Sequence, residues 1–144
     1  MKRPEEEAFH ATCNEFWWRL NNVAKGIARD ELTYAVELYN RCVRDMLSKM
    51  LEWRIGAEIN FAVSMGKYFK KFLAPETYER LRATYAPAGY AALWEAVFCM
   101  CALFGDTARS VAARLGYAYH QEEESNAMVY LRTVRADATP ERFS

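Results

Sequence analysis

Hydrophobic residues recur at steps of three and four along most of the chain, the spacing that places them on one face of an α-helix. Pro4 and the three glutamates after it predict a helix start, because proline fits the first turn and acidic groups favour the positive end of the helix dipole. The core-facing stripe of this first helix is predicted to be Phe9, Cys13, Phe16, Trp17, Leu20, Val23, Ala24 and Ile27.

Further helical segments are predicted after the first helix. Asp30 is the expected N-cap of the second, which runs to about Gly56, and Gly116 is expected to end the longest. Residues 60–66 show no clear period and are expected to form a loop. The other segments are a short basic piece at 67–72, a helix at about 75–85, a long helix at 90–115 and a last helix at about 125–135.

This pattern predicts an all-α fold, an antiparallel up-and-down bundle of about five helices. The 144 residues are enough for one domain that buries a core without staples. We expect the domain to span residues 1–136 and residues 137–144 to be a loose C-terminal tail.

Charge and composition narrow the classes of function. Lysine plus arginine equals aspartate plus glutamate, 19 against 19, which argues against a nucleic-acid binder because such proteins carry a basic surplus. We expect no membrane span either, since charges interrupt every apolar run before the roughly 20 residues that a span needs.

The four cysteines lie within apolar helical patterns and, with no secretory signal in view, predict reduced thiols in a cytoplasmic protein. Cys99 and Cys101 do not have the usual spacing of paired zinc ligands, and the chain has only two histidines, His10 and His120. We therefore expect no metal site.

One side of the first helix carries candidate chemistry. At about 100° per residue, Glu15, Trp18, Asn22 and Lys25 fall together nearly opposite the core stripe, and Arg29 would continue their line. A large aromatic side chain outside the core tends to mark an interface or a ligand platform. The alternative is that a loop or the last helix covers Trp18.

Tandem tryptophans after Asn-Glu-Phe, at residues 14–18, form a rare local sequence. This run and others after it resemble, in order, the C-terminal helical domain of the aminoglycoside 6-adenylyltransferases, a streptomycin-modifying family. The resemblance implies a bundle of the type that binds substrate in such nucleotidyltransferases. The similar segments are residues 13–18, 23–26, 29–31, 50–53, 55–56, 60–61, 83–85, 100–101, 103–104, 131–132 and 134–135.

The resemblance also implies a division of labour. Enzymes of this family transfer AMP from ATP to a streptomycin hydroxyl, with Mg²⁺ held by paired aspartates after a Gly-Ser signature in an N-terminal domain. These 144 residues contain neither a Gly-Ser pair nor an Asp-x-Asp pair. By resemblance, we expect this chain to hold no cofactor and to be inactive alone, with ATP and Mg²⁺ entering only with a catalytic domain, on a partner chain for example.

In such enzymes the helical half forms one wall of the drug cleft and contacts the nucleotide phosphates. Transferred by resemblance, the aminoglycoside would contact Asn14, Glu15, Trp18, Asn22 and Glu31, and Glu15 is the possible catalytic base. Lys25 and Arg29 would face the triphosphate. The chain departs from the family at residues 65–68, where the turn is shorter, and at Gly105-Asp106, where an Arg-Glu pair is usual.

Two other functions are weighed against drug binding. The bundle could be a free-standing interaction module that dimerises through the face around Trp18. Small ribonucleases of toxin systems share this broad architecture and carry an arginine followed by a histidine, with four to six residues between them. Arg114 with His120 and Arg3 with His10 have that spacing, but Gly116 and Pro4 interrupt the two pairs, which argues against a nuclease.

Overall fold

The computed structural model describes residues 2–59, 61 and 69–137, and every regular element within these ranges is helical. This confirms the all-α prediction. The elements are α1 (Glu6–Ala28), α2 (Leu32–Leu38), a π-helical segment (Tyr39–Val43), α3 (Arg44–Ile59), α4 (Phe69–Phe72), α5 (Pro75–Arg82), α6 (Tyr90–Leu115) and α7 (Gln121–Asp137).

The turn between α1 and α2 corrects the predicted N-cap. Asp30 adopts a left-handed backbone with φ of 59°, and α2 begins at Leu32 with Glu31 in the cap position. The Glu31 amide donates to the Gly26 carbonyl, a tight helix end for which aspartate tolerates the left-handed conformation. The Asp30 carboxylate accepts a hydrogen bond from the Tyr90 hydroxyl at 2.9 Å instead of capping α2.

Other boundaries move by about one turn. The helical run that was predicted to end near Gly56 continues to Ile59, and α7 begins at Gln121 because three glutamates stabilise its first turn. Gly116 takes the left-handed conformation and ends α6 as predicted. The predicted loop at 60–66 lies outside the described residues except for residue 61, as do residues 67–68 and the tail from residue 138.

The core forms around α1, which packs against α2, α3, α6 and α7. Every residue of its predicted stripe is buried, which confirms the first helix. The rings of Phe16 and Phe104 stack with centroids 3.7 Å apart, and Trp17 meets Phe104 edge-on. Truncating a core aromatic to alanine costs about 3–5 kcal/mol, so these rings fix α6 against α1.

The most apolar helix, α6, has the length and composition of a membrane-crossing helix. No such helix is predicted from the sequence. Its packing explains the composition, because 61% of its most apolar window is buried inside the bundle. Such burial is typical of a core helix.

A group that we call the Arg44 clamp, formed by Tyr39, Arg44, Thr84 and Tyr85, joins the start of α3 to the segment after α5. Arg44 donates to the hydroxyl and the carbonyl of Thr84 at 2.8 and 2.9 Å, and its guanidinium lies 3.6 Å from the Tyr85 ring centroid. The Tyr39 hydroxyl lies 2.7 Å from the Thr84 carbonyl oxygen. Burial is the main cause that raises the pKa of Tyr39, so its hydroxyl keeps its proton.

A second polar junction joins α7 to α6. The Glu124 carboxylate accepts hydrogen bonds from Arg109 and from the Tyr119 hydroxyl, both at 2.8 Å, and from Gln121 at 3.0 Å. It lies over Gly105, where an added Cβ would be 2.3 Å from a Glu124 oxygen. Gly105 therefore makes room for Glu124, which explains physically why this helix tolerates a glycine in its interior.

Candidate functional site

The candidate site is the outer side of α1, which we call the Trp18 face and define as Asn14, Glu15, Trp18, Asn22 and Lys25. Asn14, Trp18 and Lys25 are exposed, and Glu15 and Asn22 are half-buried. The core stripe of α1 faces inward, and the exposure of Asn14, Trp18 and Lys25 shows that this side of the helix is accessible. The structure thus places Glu15, Trp18, Asn22 and Lys25 on one side of a single helix, as the sequence spacing predicts, with Asn14, which only the family resemblance suggested, beside them.

Trp18 is the most distinctive side chain of this face. It is 55% exposed, so neither the last helix nor a described loop covers it, and the prediction of a covered ring is wrong. The guanidinium of Arg19 lies 5.4 Å from the ring centroid. A half-exposed indole beside a cation leaves an apolar ring face next to hydrogen-bonding groups, an arrangement suited to stacking.

Glu15 forms an ion pair with Arg19 on the same helix. Its carboxylate accepts a hydrogen bond from Arg19 Nε at 2.6 Å, one helical turn along α1. This hydrogen bond is the main cause that raises the pKa of Arg19. An approaching ammonium group would have to share the carboxylate with Arg19, and a base at this position would start with its charge compensated.

Tyr34 belongs to the same surface and is absent from the sequence-based prediction. It lies on α2, is 56% exposed, and its ring edge would be 3.4 Å from a Cβ added at Gly26. Gly26 lets α2 approach α1 closely, because the same Cβ would also meet Ala35 at 3.3 Å. The signal for this neighbour was a glycine inside an otherwise regular helix, which often marks a close backbone approach.

The three other predicted ligand residues lie where α1 turns into α2. Lys25 is in the last turn of α1, Arg29 is its C-cap residue, and Glu31 precedes α2. All three are exposed, and no described residue makes a hydrogen bond or ion pair with their side chains. These charges therefore lie at the C-terminal end of the Trp18 face, within reach of a ligand that extends along it.

The described residues contain no candidate binding site for Mg²⁺, the ion that nucleotidyl transfer needs. No three histidine, cysteine, aspartate or glutamate side chains within them come close enough together to hold a metal ion.

The ribonuclease spacing does not assemble a nuclease site. Arg114 pairs with Glu58 of α3, whereas His120 pairs with Glu123 at 3.2 Å. In the other pair, Arg3 donates to the Leu115 carbonyl and His10 contacts the Ala118 carbonyl at 2.7 Å. Arg114, Arg3 and His10 thus join segments that are distant in sequence, whereas His120 pairs with a residue three positions further along the chain.

The two buried cysteines are packed in the core as protonated thiols. Cys13 and Cys101 are buried, and burial, followed by the charge of Glu123, raises the pKa of Cys13 to about 12. Burial likewise raises the pKa of Cys101. These thiols remain protonated and act as small apolar groups.

Comparison with known proteins identifies the relatives of this chain. The profile of one family, described as Streptomycin adenylyltransferase, matches residues 1–134. An aminoglycoside 6-adenylyltransferase of Bacillus subtilis is 35% identical over 127 residues, which is 86% of this chain and 45% of the relative. A protein of the same name from Campylobacter jejuni is 34% identical over 134 residues, 90% of this chain and 46% of the relative.

A solved structure shares the fold. It is the crystal structure of an aminoglycoside 6-adenyltransferase from Bacillus subtilis, with a TM-score of 0.86 and 31% identity over 95% of this chain and 53% of that one. The chain spans about half the length of the relatives it matches. With a profile match over nearly its whole length, the chain belongs to the streptomycin adenylyltransferase family.

Proposed function

We propose that this helical domain forms one wall of an aminoglycoside-binding site, with the Trp18 face as the surface that contacts the drug. In this proposal the metal and ATP are held by a nucleotidyltransferase domain outside these 144 residues, and the chain alone transfers no AMP. The protein acts in the cytoplasm, where the four thiols stay reduced.

The observation that carries this proposal is the exposed Trp18 ring among polar groups. Exposed aromatics that lie beside hydrogen-bonding and charged side chains suit sugar-like ligands, which present both apolar ring faces and polar edges. Tyr34 adds a second half-exposed ring from α2. The chain belongs to a family described as Streptomycin adenylyltransferase, and this membership suggests the class of ligand, an aminoglycoside.

The charged residues lie at two places along α1. Glu15, near the middle of α1, would accept hydrogen bonds from a cationic group of the drug, in competition with Arg19. Lys25 and Arg29, at the other end, would meet the phosphates of a nucleotide held by the catalytic domain. Asn14 and Asn22 would donate and accept hydrogen bonds with drug hydroxyls, and Glu31 would bind a second ammonium.

Calorimetric titration of the purified chain with streptomycin tests the proposal. We expect saturable binding that Trp18→Ala weakens roughly tenfold or more, because one stacking contact on a half-exposed ring is lost. Glu15→Gln should weaken it less, since Arg19 already compensates the carboxylate.

Two matched variants control for general surface effects. Val129→Ala removes another exposed apolar side chain, on α7, and Glu37→Gln removes another glutamate that pairs with an arginine four residues later. Both should leave binding unchanged. No saturable heat at millimolar drug, or equal losses in the control variants, would contradict drug binding at the Trp18 face.

The second candidate function is dimerisation through the same face, which the exposure of Trp18 and Tyr34 also favours. Sedimentation velocity over a range of concentrations separates the two functions. A dimer that Trp18→Ala dissociates, in a chain that binds no streptomycin, would favour the interaction module.

A further inference from the structure

A cavity between α3, α5 and α6 lies away from the Trp18 face and has no role in the proposed drug site. Its volume is about 270 Å³, near the lower end of the roughly 300–1,000 Å³ of ligand pockets, so it fits only a small molecule. Its floor includes Leu51, Ile55 and Leu103, which are buried. An apolar floor favours a ligand with an apolar body.

Two arginines and two acids lie on the rim of the cavity. Arg54 and Arg80 both line it, and each donates through one terminal nitrogen to an acid on the same rim, Glu58 and Asp106 respectively. Each guanidinium carries five N–H donors, so most of its donors remain for a ligand. A planar fork of donors suits a carboxylate group.

The acids of the rim are already compensated. Glu58 also contacts Arg114 at 3.6 Å, and Asp106 accepts a second hydrogen bond from Arg109 at 2.7 Å. Burial by itself raises the pKa of Asp106, but the hydrogen bonds from Arg109 and Arg80 outweigh it and hold this pKa below its ordinary value. A cationic ligand would have to displace an arginine from each acid.

The salt bridges at the cavity form two separate groups, and one of them carries a charge that favours an anion. Arg54 and Arg114 share the single carboxylate of Glu58, which leaves one positive charge over. Arg80 and Arg109 are balanced by Asp106 and Glu124.

We propose that the α3–α5–α6 cavity binds a small monocarboxylate with an apolar body, such as an aromatic carboxylate. The carboxylate lies between the guanidiniums of Arg54 and Arg80, the ring lies on the apolar floor, and the hydroxyls of Thr77 and Ser110 border the opening. The site is independent of the proposed aminoglycoside function, so either can fail without the other.

Fluorine NMR with 4-fluorobenzoate as the probe tests the site, and the neutral isostere 4-fluorobenzamide is the ligand control. We expect saturable broadening of the benzoate signal and at least tenfold weaker binding of the amide. Arg80→Gln and Arg54→Gln should each weaken benzoate binding roughly tenfold, the loss of one hydrogen bond to a charged group. Arg80→Lys, which keeps the charge but not the fork, should weaken it less.

Arg41→Gln is the matched protein control, because Arg41 also pairs with a glutamate but lies outside the cavity and is highly exposed. It should bind benzoate like the unchanged chain, and thermal melting of each variant verifies that it is folded. Three results would each overturn the proposal: no benzoate binding at millimolar concentration, equal binding of benzoate and benzamide, or binding that neither Arg54→Gln nor Arg80→Gln weakens.

Discussion

The Arg44 clamp and the Trp18 face both combine aromatic and charged side chains, yet they differ in how those groups are satisfied. In the clamp, Thr84 is fully buried, and its hydroxyl and carbonyl both hydrogen-bond to Arg44. On the Trp18 face the indole is half exposed, and described residues leave the Lys25 side chain without a hydrogen bond or ion pair. Similar residue types therefore stabilise the fold in one place and remain available in the other.

The same contrast distinguishes residues that folding explains from residues that a ligand or a partner would explain. The segment at residues 83–85 carries Thr84 and Tyr85 of the clamp, and their contacts with Arg44 give both residues a role in folding. The segment at residues 13–18 mixes buried Phe16 and Trp17 with exposed Trp18. Trp18 is the one large apolar side chain of that run that lies outside the core, so its presence calls for a ligand or a partner.

The clamp should show the largest effect on stability. Arg44→Ala removes the two hydrogen bonds to Thr84 and the cation–π contact with Tyr85, among its other contacts, and we expect it to lower the free energy of unfolding by about 2–3 kcal/mol. Urea denaturation followed by circular dichroism measures the change. A loss below half a kilocalorie would mean that the clamp, like the Trp18 face, contributes little to folding.

Tyr39→Phe should have a smaller effect at the same junction. It removes the buried hydroxyl that lies near the carbonyl oxygens of Thr84 and Ala96, and should cost about 1 kcal/mol. The Thr84 carbonyl keeps its hydrogen bond from Arg44, so it is not left unsatisfied. If Tyr39→Phe and Arg44→Ala had independent effects in the double variant, the clamp would not act as one unit.

The junction of α6 and α7 extends the contrast to a partly buried carboxylate, that of Glu124. Gly105→Ala should destabilise the chain by about 1 kcal/mol, because the new methyl displaces Glu124 from Arg109 and Tyr119. In a Glu124→Ala background the same change should stabilise it by about 1 kcal/mol, since alanine is the better helix former. Denaturation of the four proteins measures the reversal, and the same sign in both backgrounds would contradict it.

Acid should weaken the ion pair between Arg80 and Asp106. The pKa of Asp106 is lower in the folded chain than its ordinary value of 3.8, so its stabilising effect is present above that pH and is lost as pH falls through the lowered pKa. Because the pair is half exposed, we expect only a few tenths of a kcal/mol. The stability difference between the chain and Asp106→Asn should vanish in strong acid; a difference that grew there would contradict the assignment.

Trp18→Ala should have the smallest effect on stability. A half-exposed ring outside the core adds little to folding, so the free energy of unfolding should change by less than about 0.5 kcal/mol. Denaturation measures this alongside Arg44→Ala. A loss of several kilocalories would assign Trp18 to the core and remove the reason to search for its ligand.

The sequence predicts regular features of this fold well because they follow from periodicity. The stripe of α1, the extent of α6 and the end at Gly116 all come from spacing or from the conformational freedom of glycine. The face around Trp18 follows from the same helical geometry.

Features that depend on contacts between distant residues could not be predicted in this way. Asp30 suits an N-cap by its chemistry, but the hydrogen bond from Tyr90, sixty residues away, and the left-handed turn decide its role. Tyr34 joins the Trp18 face only because Gly26 lets α2 approach α1. The pairing of Glu15 with Arg19 was within reach of the sequence, since the two are four residues apart on one helix.

The most direct test of a drug-binding Trp18 face is the indole N–H region of a proton–nitrogen NMR spectrum during titration with streptomycin. The chain has four tryptophans, so four indole signals report separately on Trp17, Trp18, Trp53 and Trp94. We predict that the Trp18 signal shifts most and saturably, while those of buried Trp17 and Trp94 stay in place. An unmoved Trp18 signal at millimolar drug, or larger shifts at the other tryptophans, would contradict the account.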